Sequence, residues 1–75
     1  MPSAEEIREQ IEAAIDGAQV QVVDTTGGGD HFQATVTAAA FGGLSRVQQH
    51  RMVYDALGGQ VGGAIHALAL TTRAA

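Results

Sequence analysis

The ten glycines of this chain gather at Gly17, Gly27–Gly29, Gly42–Gly43, Gly58–Gly59 and Gly62–Gly63, and they divide the chain into stretches with their own apolar spacing. Glycine weakens the interior of a helix or strand, so such groups mark where elements end. Between them the apolar period runs helical, alternating, alternating, helical and alternating. That order, α-β-β-α-β, leaves few ways to bury every apolar face.

Residues 3–16 read as an amphipathic helix. Ser3 is its N-cap, Glu6 completes a capping box, and Glu5 and Glu6 suit the positive end of the helix dipole. Ile7, Ile11, Ala14 and Ile15 form one stripe, and Gly17 is the expected C′ residue. Val20 and Val22 alternate with Gln19 and Gln21, which predicts a half-buried strand from Ala18 to Asp24. TTGGGD is a turn, and HFQATVTA follows as an antiparallel partner strand with Phe32, Ala34, Val36 and Ala38 on one face.

A breaker, AAFGGLS, precedes the longest helix. Leu44, Val47, His50, Tyr54, Leu57 and Val61 are expected to form its buried stripe, with Ser45 as a candidate cap and Gly62–Gly63 as the stop. AIHALALTT then alternates as a third strand. Its two faces, Ile65/Ala67/Ala69 and His66/Leu68/Leu70, are both apolar enough to predict a central or well-covered strand. The last β-α-β unit predicts a right-handed crossover between parallel strands. The expectation is one small α+β domain over residues 1–75, a three-stranded mixed sheet packed by two helices on one face.

A chain of 75 residues sits near the lower limit for folding alone, and it has no cysteine to staple it. It therefore supplies no thiolate to an iron–sulfur or zinc site, and it fits a reducing compartment. No segment is apolar over the length a membrane helix needs, and MPSAEEIREQ carries acids where a secretory leader carries bases. A cytoplasmic location follows as the expectation. Four arginines, no lysine and a net charge of −4 disfavour a broad phosphate-binding face.

Few motifs carry chemistry. GGGD at 27–30 lacks the Lys-Ser/Thr of a phosphate loop and leads into a strand. GQVG at 59–62 has the GXXG shape that clamps nucleotides, but no basic residue lies in it. The three histidines make no HExxH-type spacing, and no nucleophile–base pair can be placed, so no enzyme is expected.

FGGLSRVQQHRMVYDALGG followed by AIHALALTT resembles the signature of the BolA-like family. The shared pattern is Phe41 and Gly43 in a turn, His50, Arg51, Val53 and Tyr54 on a helix, and Ile-His-Ala-Leu at 65–68. Gln49 stands where many members carry Arg, and the loop before His31 has no Cys.

The resemblance implies a class II KH-like fold and two roles. One is partnership with a monothiol glutaredoxin, sharing a two-iron two-sulfur cluster in iron and cluster homeostasis. His66, with His31 from the glycine loop, would be this chain's metal ligands, and the partner and glutathione would supply thiolates. The chain alone would bind no cluster. The other role is transcriptional regulation through DNA, with Arg46, Arg51 and Arg73 meeting phosphate. The residues themselves also admit a homodimer joined by apolar patches or strand edges. His50 and Tyr54 read as structural, with the Tyr54 ring in the core.

Overall fold

A computed structural model describes residues 2–75. The element order is α1 (Ala4–Ala14), β1 (Gln19–Asp24), β2 (His31–Ala38), a 3-10 turn (Ala39–Phe41), α2 (Arg46–Ala56) and β3 (Ala67–Ala74). β1 pairs antiparallel with β2, and β2 pairs parallel with β3. The expected small α+β architecture and mixed sheet are observed.

Helix α1 starts at Ser3 as expected, and of the two starts open for α2 the candidate cap Ser45 is the one used, with Leu44 outside the helix. Ser3 and Ser45 each close a capping box, with Glu6 and Gln48 as reciprocal partners. Helix α1 buries Ile7 and Ile11, and Ile15 packs just beyond its end. The helix stops at Ala14 with Ile15 as its C-cap, so Gly17 (φ +71°) turns the chain one position later than expected.

The core lies between the helices and one sheet face. Phe32, Ala34, Val36 and Ala38 point into it from β2, against Ile7, Ile11, Val53, Leu57, Phe41 and Ile65. The period-2 reading of β1 and β2 therefore holds residue by residue.

Three expectations fail, the first being length: α2 has 11 residues, as α1 does, and ends at Ala56 instead of running to Gly62. The third strand is not central: the sheet order is β1-β2-β3, and β3 is an edge strand running from Ala67, not Ala64. Its inner face is Leu68, Leu70 and Thr72, half-buried, and the opposite face is open. The open face owes its apolar appearance to Ala67 and Ala69, small residues that need no cover. Ile65 is buried as a lone β-bridge partner of Val61, and His66 lies before the strand, not within it.

The stripe expected on α2 is also displaced. Val47 is 67% exposed and Tyr54 40% exposed, so Tyr54 is not a core residue. Val53 and Leu57 are the buried positions, with Met52 packed beside them. Leu44 precedes the cap Ser45 and Val61 follows the last turn, so neither sets the helix register. Gln49 occupies the inward position one turn before Val53. Its Nε2 donates to the carbonyls of Phe41 and Leu44, and Thr72 Oγ1 donates to its Oε1 at 2.7 Å. One side chain thus ties the turn before α2 to the edge strand. Gly43 makes that turn at φ +80°, a conformation closed to most side chains.

Candidate functional site

The site is built at one end of the sheet, where β2 and β3 both begin. Parallel pairing sets His31 opposite Ala67. Ala67 N–H donates to the Asp30 carbonyl at 3.0 Å, so the residues flanking the two histidines are joined. Gly62, at φ +89°, closes the turn before β3 with a 2.7 Å bond from its N–H to the Ile65 carbonyl. The outcome is a direct ring contact. The His31 and His66 centroids are 5.1 Å apart with planes at 70°, an edge-to-face pair.

The loop that carries His31 is built by carboxylates. Asp24 accepts the N–H groups of Thr26, Gly27 and Gly29, an Asx-type closure that satisfies backbone donors of the glycine run. The Thr26 hydroxyl donates to Asp30 Oδ1 at 2.8 Å. The same Oδ1 lies 3.2 Å from His31 Nδ1. The ring N–H is not aimed at that oxygen, so Nδ1, shielded from solvent, has no hydrogen-bond partner. The Thr26 hydroxyl, and then His31, hold the Asp30 carboxyl below the usual carboxylate range.

Among the described residues no three His, Asp or Glu side chains converge on a point that holds a metal ion. The pair offers two imidazole nitrogens and no complete coordination shell. His50 stands apart, lining one groove with Arg46 and Leu70–Thr72 and another with Val47, Arg51 and Tyr54. Arg46 and Arg51 share α2, whereas Arg73 lies on the open face of the sheet beside Gln19, Thr35 and Thr37. The three arginines form no single patch.

Residues 5–75 match the family described as BolA-like protein. The chain belongs to the BolA-like family. Human BolA-like protein 1 is 35% identical over 74 residues, covering 89% of this chain and 54% of that protein. The DNA-binding transcriptional regulator BolA of Escherichia coli is 32% identical over 75 residues, covering 91% of this chain and 71% of that protein. The solved BolA homologue from Coxiella burnetii superposes with a TM-score of 0.81 at 33% identity, covering 99% of this chain and 92% of that one. The chain spans about half the length of the mammalian BolA-like proteins it matches.

Within this BolA-like domain the signature residues divide by role. Phe41 and Val53 are fully buried and Gly43 turns the chain, so these three build the fold. His50, Arg51 and Tyr54 line an outer groove of α2. Asp24, Thr26 and Asp30 were not singled out by their sequence pattern, although Asp before a Thr-Gly run is itself an Asx-turn signal. Among the described residues no helix is long and apolar enough to cross a membrane.

Proposed function

We propose that this BolA-like domain partners a monothiol glutaredoxin and contributes His66 and His31 to a shared two-iron two-sulfur cluster. The observation that carries the reading is the 5.1 Å pairing of the two rings at one end of the sheet. Histidine replaces cysteine on such clusters and raises their reduction potential. The donor set fits one part of that site: one imidazole from each of two neighbouring histidines, and no thiol anywhere in the chain. The cluster would supply the electron-accepting iron, while this chain fixes two imidazoles and leaves the thiolates to the partner and glutathione. The role is that of an accessory protein in iron and cluster homeostasis, not an enzyme, in the cytoplasm.

Gel filtration of the domain with cluster-loaded glutaredoxin tests the partnership. A coloured complex that weakens with His66→Ala and with His31→Ala supports it. Separate elution of two proteins, loaded or not, overturns it.

A second reading is DNA-binding regulation, favoured by the name of the Escherichia coli relative and by Arg46 and Arg51 on one helix with no ion-pair partner among the described residues. The net charge of −4 and the placement of Arg73 on another face count against it. Two phosphate contacts predict a salt slope of only about 2 on logarithmic axes. Absence of any duplex shift at low salt removes this reading.

A further inference from the structure

We propose that Asp30 is a positioning residue for His31, its carboxylate holding the imidazole in the Nδ1–H tautomer and leaving Nε2 as the free donor. The inference rests on the reading of His31 as a ligand and adds the residue that aims it.

Asp30 is fixed from several sides. Thr26 Oγ1 donates to its Oδ1 at 2.8 Å, its carbonyl accepts Ala67 N–H at 3.0 Å, and the loop before it is closed on Asp24. That anchored Oδ1 lies 3.2 Å from His31 Nδ1, which is shielded from solvent and has no hydrogen-bond partner. The rest of the side chain is open, at 42% exposure. A carboxylate only accepts hydrogen bonds, so the ring nitrogen that faces it is the one that carries hydrogen. Nε2 is then the nitrogen with the lone pair. A carboxylate behind a histidine ligand fixes its tautomer and its orientation, and raises its basicity. Gly28 belongs to the same arrangement. A Cβ there would stand 3.3 Å from Asp30 Oδ1 and 3.5 Å from Thr26 Oγ1, so a side chain would crowd the carboxylate.

Long-range nitrogen–proton NMR of the free domain, with its imidazoles neutral, reads the tautomer directly. The wild type should show His31 protonated on Nδ1. Asp30→Asn keeps an acceptor for Thr26 yet removes the charge, and Asp30→Ala removes the acceptor. Both should shift His31 toward the Nε2–H form. With cluster-loaded glutaredoxin, Asp30→Asn should form the complex with affinity lowered about tenfold and with altered visible circular dichroism. Asp30→Glu should restore part of each signal. A wild-type ring protonated on Nε2, or a tautomer unchanged in both Asp30→Asn and Asp30→Ala, overturns the assignment. If wild type forms no cluster complex but shows the Nδ1–H tautomer, the cluster reading fails while the pairing of Asp30 with His31 stands.

Discussion

The His31 and His66 rings meet edge to face because the N–H of Ala67 bonds the carbonyl of Asp30, which locks the starts of β2 and β3 together. The contact is thus a property of strand register, not of side-chain packing alone. It ought to respond to the turn that delivers His66. Gly62→Ala places a side chain at φ +89°, a strain of roughly 1–2 kcal/mol. The expected result is a lower denaturant midpoint and weaker NMR cross-relaxation between the two rings. Unchanged cross-relaxation would mean that the turn does not set the position of His66.

The two aromatics of the family signature should behave in opposite ways. Phe41 is fully buried, and Phe41→Ala is expected to cost about 3–5 kcal/mol. A core of this size supplies roughly that much in total, so the variant should be largely unfolded by circular dichroism. Tyr54 is 40% exposed and should tolerate Ala far better, with a small fall in melting temperature. Equal losses at both positions would contradict the observed register of α2.

Gln49 offers a double-mutant test. Its amide bonds the Phe41 and Leu44 carbonyls and accepts from Thr72. Gln49→Ala should cost about 1–2 kcal/mol, because partly buried carbonyls lose their donor. Combined with Thr72→Val, urea denaturation should give a coupling of about 0.5–1.5 kcal/mol. Simple additivity would show that the bond across to β3 contributes nothing.

The glycine loop should be sensitive to acid. The Asp30 carboxyl is held below its ordinary value of 3.8 by the Thr26 hydroxyl and then by His31. Its contribution to the folded state is therefore complete above that value and fades as pH falls through the lowered one. Carbon-13 titration of the Asp30 carboxyl should give a midpoint below 3.8, and Thr26→Val should raise it. A midpoint at or above the ordinary value in the wild type would show that the Thr26 bond does not form in solution.

Much of the fold is legible in the sequence because its signals are local. Capping boxes at Ser3 and Ser45, the alternation of β1 and β2, and the glycine groups each declare themselves within a few residues. What failed was decided at a distance. Whether β3 lies at the centre or the edge depends on which side of β2 the crossover returns to, and Ala67 and Ala69 are silent on that. The register of α2 turned on Gln49, a polar residue whose inward position is set by carbonyls and a threonine elsewhere in the chain. At the candidate site, His31 and His66 stand out by residue type and by family resemblance. Their approach to one another is a consequence of parallel pairing, and the support from Asp24, Thr26 and Asp30 appears only once the loop is closed.

The central claim is tested most directly by visible absorption and circular dichroism of the domain mixed with cluster-loaded monothiol glutaredoxin, alongside His66→Ala. The account predicts a new spectrum for the wild type, distinct from that of the glutaredoxin alone, and its loss in His66→Ala. A spectrum that stays that of the glutaredoxin alone, or one that His66→Ala leaves unchanged, would contradict it.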